Sequence, residues 1–375
     1  MVDYFFFIFC FLSIIDIKIK GSNNFFEEYM HLDNTNSIKG IFVWLIVFCH
    51  KTKYINKKDY LFVNITNHIG QQVVSMFLFY SGYGIFESFK KKGNNYINTL
   101  PKKGFVLFLK TQIIIFINLL LFKYFFNIKI TIKKYLLCMI FKSSLENSNW
   151  FPFTIILFYN YSFISFRFIK NKNFIGIIII SFICFSHILW VYNYYFPKAF
   201  FPVNTVLCFV IGFYYSYFKL NFDKILMRND IYYFGIISLI IIFYFKVFIY
   251  HNLISLSFRN CSFALLVILI SMKVKFNNEF LKFLNYHSYS IYLLHRIVMS
   301  YNKRFNCFKN NDFIQVSFEF TSIFFFSSLF DKYTIFLYRL MNINLKPIKN
   351  NNQINDRTYI FRNIIYKSGA DIIES

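Results

Sequence analysis

The stretch Phe174-Ile-Gly-Ile-Ile-Ile-Ile-Ser-Phe-Ile-Cys-Phe-Ser-His-Ile-Leu-Trp-Val-Tyr192 carries no Asp, Glu, Lys or Arg over its 19 residues. A helix needs about 20 mostly apolar residues to cross a hydrocarbon core of about 30 Å. Runs near that length recur on both sides of it. The spans read near residues 4–17, 38–54, 69–89, 104–126, 150–168, 174–192, 200–218, 231–249, 253–272, 280–299 and 314–341. Backbone N–H and C=O groups cannot stay unpaired in lipid, so each run is expected to be a helix. The expected fold is all-α, a polytopic transmembrane helix bundle of about 10–11 spans. The first run is short but has neither a basic n-region nor a small-residue cleavage site, so it reads as a helix and not as a signal peptide. Residues 135–144 are too few to span and read as interfacial or re-entrant.

The whole composition fits this reading. Of 375 residues, 57% are hydrophobic, and soluble domains run about 45–50% apolar. The mean hydropathy is +0.45. Phe, Ile, Asn, Lys and Tyr are all abundant, which matches an AT-rich coding bias and points to a low-GC bacterium and its plasma (inner) membrane. The net charge of +24 could mean nucleic-acid binding. Here the lysines fall between apolar runs, as loop lysines of a membrane protein do. The expected partner is a lipid bilayer, with no nucleic acid. The seven cysteines (Cys10, Cys49, Cys138, Cys184, Cys208, Cys261 and Cys307) form no CxxC pair and no cluster with histidine. Neither disulfides nor a metal site is expected.

Eleven spans put the start of the chain outside and its end in the cytoplasm. Lys18/Lys20, Lys90–Lys92 with Lys102 and Lys103, Arg167/Lys170/Lys172, Lys219/Lys224/Arg228 and Lys273/Lys275 then lie inside, in keeping with the positive-inside rule. Lys51, Lys53, Lys57 and Lys58 fall outside and weaken the asymmetry. Three parts follow: 1–35, a short membrane span and linker; 36–342, the membrane domain; 343–375, a polar, Asn/Lys-rich cytoplasmic tail.

Polar residues inside spans are costly and so draw a functional reading. Lys39 and His50 are eleven residues apart, which on a helix is three turns plus roughly 20°, so both share one face about 16 Å apart along the axis. An imidazole suits proton abstraction from a hydroxyl, and a lysine suits an anionic ligand. The plain alternative is that Lys39 snorkels to the interface and His50 is a satisfied buried histidine. Ser288, Tyr292 and His295 follow the i, i+4, i+7 spacing of one helical face, which either packs between helices or lines a cavity. Gln71-Gln72 and Ser81-Gly-Tyr-Gly84 mark the third span, where small residues allow close helix packing. Trp150 with Asn149, Asn204, and Arg259-Asn260 are further polar groups at membrane depth. No ladder of membrane carboxylates is visible, which weakens a proton-driven transporter reading.

Several of these segments resemble, in order, the signatures of the acyltransferase-3 family of integral membrane O-acyltransferases. Asn36-Ser-Ile-Lys39-Gly-Ile…His50 is similar to its first signature, in which a basic residue, usually arginine, precedes a histidine by the same spacing. Met76-Phe-Leu-Phe-Tyr-Ser81-Gly82-Tyr83 resembles its FF-x-SG-(Y/F) segment. Tyr286-His-Ser-Tyr-Ser-Ile-Tyr292-Leu-Leu-His295 resembles its late G-x-x-S-x-x-I-Y-L-x-H helix, with Tyr286 in place of the glycine. Asn149-Trp150-Phe151 fits its Trp-Phe pair. The likeness covers roughly residues 36–342, and the run at 4–17 is an addition to the commonest ten-helix plan.

The resemblance implies an acyltransferase that moves an acyl group, as acetyl, from acyl-CoA to a hydroxyl of a carbohydrate acceptor in the cell envelope. No bound cofactor is implied; acyl-CoA is the donor substrate. Carried over, His50 and Lys39 are the catalytic candidates, with Lys39 and the Lys90–Lys92 loop attracting the CoA phosphates. His50 would deprotonate the acceptor or carry the acyl group transiently. Ser81, Tyr83, Trp150, Arg259, Ser288, Tyr292 and His295 are the substrate-binding candidates. The rival reading is a transporter or flippase for a glycan or lipid-linked sugar, without acyl transfer; a purely structural membrane protein is a third.

Overall fold

A computed structural model of the chain describes residues 2–55, 60–67, 69–126, 131–141, 143, 150–169, 173–195, 203–250, 252–305, 308 and 311–340. In chain order the helices are α1 (Val2–Ile14), α2 (Leu32–Lys51), α3 (Leu61–Thr66), α4 (Gly70–Lys92), α5 (Asn94–Ile97), α6 (Leu100–Phe126), α7 (Ile132–Met139) and α8 (Trp150–Phe166). They continue as α9 (Asn173–Tyr195), α10 (Val206–Leu226), α11 (Asp230–Phe248), α12 (Leu253–Lys273), α13 (Glu279–Tyr286), α14 (Ser288–Phe305) and α15 (Asp312–Leu340). The all-α expectation holds. Among the described residues the only sheet is a two-residue antiparallel ladder of β1 (Lys18–Ile19) and β2 (Val274–Lys275). The tail 343–375 and Asn149 lie outside the described residues.

Five helices, α6, α9, α11, α12 and α15, are long and apolar enough to cross a membrane, which makes the chain an integral membrane protein. The most peripheral is α11, with 6% of its apolar window buried. Helices α2, α4 and α10 are 20, 23 and 21 residues long, and 20 residues span about 30 Å. They carry more polar groups because they face other helices rather than lipid. Asparagine, abundant in the sequence, caps several helices: Asn229, Asn252 and Asn278 accept from Tyr232, Ser255 and Leu281 N–H groups at 3.0, 2.8 and 3.2 Å.

Three expectations need correction, and one feature is new. The run 280–299 is not one helix; it breaks at His287 into α13 and α14. In the run 200–218 the helix starts at Val206, after turns at 203–205, and continues to Leu226. The first helix has 13 residues, about 20 Å of rise, which is short of a full crossing. Two carboxylates that the sequence reading passed over, Glu319 and Asp331, are buried on α15.

Glycines set the close crossing of α4 and α10. A Cβ at Gly82 of α4 would meet the Phe209 carbonyl oxygen at 2.1 Å, and one at Gly212 of α10 would meet the Phe79 carbonyl oxygen at 2.3 Å. The backbones of α4 and α10 therefore touch directly. Aromatic side chains fill most of the remaining core. Phe6, Phe9, Trp44, Phe48 and Phe320 pack α1, α2 and α15 together, and the Trp44 indole N–H donates to Ser13 Oγ at 3.1 Å.

Candidate functional site

Helix α2 presents Lys39, Val43 and Ile46 to a cavity. These positions repeat at helical spacing, and His50 is the next on the same face. The opposing walls come from α4 (Tyr80, Ser81), α6 (Lys103), α8 (Phe151) and α14 (Ser288, Tyr292). Of the candidates, Lys39, Ser81, Ser288 and Tyr292 line the cavity.

Among the described residues, two lysines and no carboxylate line it. The Lys39 ammonium stands 5.4 Å from the centre of the Tyr80 ring, and no carboxylate pairs with it among the described residues. The Tyr80 hydroxyl is buried without a hydrogen-bond partner. The Lys103 ammonium lies 4.3 Å from the Tyr96 ring centre. Ser81 Oγ donates to its own helix at Phe77 O, 2.8 Å away, so its proton is already engaged.

His50 meets His295 beyond Tyr292. The two imidazole centres are 4.9 Å apart at an interplanar angle of 39°. Tyr292 links the pair to the cavity, 5.7 Å from His295 and 5.0 Å from Phe151 between ring centres. His295 Nδ1 lies 3.0 Å from the Ile291 carbonyl oxygen. That oxygen can only accept, so Nδ1 carries the proton and Nε2 the lone pair. Among the described residues, His295 Nε2 and His50 Nδ1 are both buried without a hydrogen-bond partner. Buried polar nitrogens are usually bonded, so two orphans on facing rings single this pair out for a functional reading.

Tyr83, Trp150 and Arg259 do not line the cavity. Tyr83 stacks on Phe79, 6.5 Å between centres, and faces Tyr215 of α10. Trp150 packs edge-on to Phe151. Arg259 lies on α12 against Phe248, 5.0 Å from the ring centre.

Buried ion pairs hold the histidine-bearing helices in register. Lys51, the residue after His50, donates to Glu319 at 2.8 Å, and Asn302 of α14 donates to the same carboxylate at 2.7 Å. Asp331 accepts from Lys110 at 2.9 Å, His287 Nδ1 at 2.7 Å and Ser290 Oγ at 2.6 Å. It thereby fixes the break between α13 and α14 and the start of the helix that carries Ser288, Tyr292 and His295. The signal available in the sequence was an ionisable residue within an apolar run. Among the described residues no group of three His, Cys, Asp or Glu could hold a metal ion.

No protein-family model, curated protein or solved structure matches the chain.

Proposed function

We propose that the chain is a membrane acyltransferase of a bacterial plasma membrane, transferring an acyl group, as acetyl, from acyl-CoA to a hydroxyl of a cell-surface carbohydrate. The observation that carries this reading is the facing pair His50 and His295, each with an unbonded ring nitrogen, next to a cavity holding the unpaired Lys39. The resemblance of the Lys39–His50, Ser81–Tyr83 and Tyr292–His295 segments to the acyltransferase-3 family supports it.

The chemistry requires a base, a channel for a thioester and a cation for phosphate. In the proposed step the acceptor O–H gives its proton to His50 as its oxygen bonds to the thioester carbonyl carbon. The C–S bond then breaks, and the CoA thiolate recovers the proton from the imidazolium. Lys39 attracts the CoA phosphates as a point charge. His295, whose own Nδ1 proton is committed to Ile291, packs against the His50 ring and positions it.

A transport reading draws on the buried Lys51–Glu319 and Lys110–Asp331 pairs, since ionisable groups at membrane depth also mark ion pathways. One experiment separates the two. The gene is deleted, and ester-linked acetate on purified surface polysaccharide is measured with wild-type and His50→Ala alleles as complements. Loss of acetate rescued by wild type alone supports acyl transfer. Equal rescue by both alleles removes His50 from the chemistry and favours transport.

A further inference from the structure

A second cavity, of about 410 Å³, lies between α10, α11 and α12 and shares no lining residue with the first. Along α10 it runs from Ile211 to Leu226, about 22 Å of helix. Ile236 and Ile240 of α11 face Leu265 and Leu269 of α12 across it. Among the described residues, its polar side chains are Tyr214 and Tyr215, and both hydroxyls are turned to other partners. The Tyr215 hydroxyl is 2.7 Å from the Tyr29 hydroxyl, and that of Tyr214 is 3.4 Å from Ser181 Oγ. A cavity walled by hydrocarbon gives water nothing to bond and stays dry. Left empty, it forfeits the dispersion contacts of its lining. Its volume falls in the range of about 300–1,000 Å³ typical of small-ligand sites.

The cavity opens toward the surrounding lipid. Phe222 and Ile225 line it yet remain 40% and 55% exposed, and α11 is the most peripheral of the five apolar helices. Half of a hydrocarbon core is about 15 Å deep. A slot about 22 Å long can therefore take an acyl chain over the full depth of one leaflet. Its end at Leu226 and Ile236 is the one that the lysine pattern assigns to the cytoplasm.

That end carries a cation. Arg228 stands exposed in the turn between α10 and α11, two residues after the lining Leu226. Its guanidinium is 5.3 Å from the centre of the Tyr232 ring. Tyr232 precedes the lining Ile236 by one turn of the same helical face, about 6 Å. Two neighbouring lysines have carboxylates of their own: Lys219 has Asp223 and Lys273 has Asp230, each at 2.6 Å. Arg228 pairs with no carboxylate among the described residues. A soluble anion would leave the slot empty, and a neutral lipid would leave the arginine unanswered. A molecule with an apolar chain and a phosphate satisfies both.

We propose that the cavity between α10, α11 and α12 binds one acyl chain of an anionic phospholipid, whose phosphate meets Arg228. The site is separate from acyl transfer and does not rest on it. The full chain is purified in a mild detergent and offered equal amounts of phosphatidylglycerol and phosphatidylcholine with the same acyl chains. Native mass spectrometry counts and identifies the lipid that it retains. Wild type should hold one phospholipid, with phosphatidylglycerol preferred about fivefold, the worth of one arginine near a headgroup. Arg228→Gln should keep a lipid and lose the preference. Ile240→Trp fills the slot and should lose the lipid. Leu239→Trp, at the adjacent position but 67% exposed, should keep it. Ile236→Phe fills the same space with a smaller ring and serves where the tryptophan prevents folding. A wild type that retains no lipid overturns the site, and so do slot-filling variants that retain it as wild type does. Equal retention of the two lipids by wild type, or a preference that survives Arg228→Gln, overturns the arginine contact. A lipid-free dimer that Ile240→Trp dissociates gives the slot to a second copy of the chain and overturns the lipid.

Discussion

His50 and His295 stand ring to ring, 4.9 Å between centres, although one lies on α2 and the other on α14. An imidazole base and the ring that positions it should fail together. His50→Ala and His295→Ala are each expected to lower acyl transfer by about 100-fold, and the double variant by little more than the worse single one. Transfer from labelled acetyl-CoA in isolated membranes measures this. Multiplicative losses would mean that the rings act in separate steps.

Lys39 is a cavity cation without a carboxylate partner among the described residues. Lys39→Met should raise the KM for acyl-CoA by about tenfold with a smaller change in kcat, and Lys39→Arg should restore most of it. A kcat effect without a KM effect would remove the phosphate-binding role.

Asp331 gathers three donors, from Lys110, His287 and Ser290. Asp331→Ala leaves a buried ammonium unpaired and should destabilise the protein by about 3 kcal/mol. Combining it with Lys110→Met should recover much of that loss, since the apolar pair carries no stranded charge. Melting curves of the three variants in one detergent give the coupling, and additive losses would argue against it.

Gly82 has the Phe209 carbonyl oxygen 2.1 Å from where a Cβ would stand. Gly82→Ala therefore forces α4 away from α10 and should cost about 2 kcal/mol. Gly235, with open space around it, provides the control: Gly235→Ala should be neutral or stabilising. Equal melting temperatures for the two variants would contradict the close crossing.

The sequence revealed the helices and the face shared by Lys39 and His50, because a period of 3.6 residues fixes angles along one helix. It also placed Ser288, Tyr292 and His295 on one stripe. A period says nothing about which helices become neighbours, so the meeting of His50 with His295 was not legible. The break at His287 was hidden for a related reason. No proline or glycine interrupts that run, and the group that holds the break, Asp331, comes from another helix. Glu319 and Asp331 could have been noticed as charges in an apolar run, but their partners Lys51 and Lys110 could not have been assigned. Arg259 was conspicuous in the sequence, yet only the packing revealed that it lies against Phe248 and away from the first cavity.

The ladder between Lys18–Ile19 and Val274–Lys275 has a consequence for biogenesis. Helix α1 reaches the translocon well before one of its partners exists, because Phe5 and Phe9 pack against Phe320 of α15. At about 10 residues per second, synthesis leaves a gap of tens of seconds between the two. Through that interval α1, too short to anchor itself, has Trp44 and Phe48 of α2 on one side and only the lipid surface or an insertase on the side that α15 will cover. The element that emerges ahead of the rest is thus seated near the end of assembly, and truncations that remove α15 should release α1 to quality-control proteases.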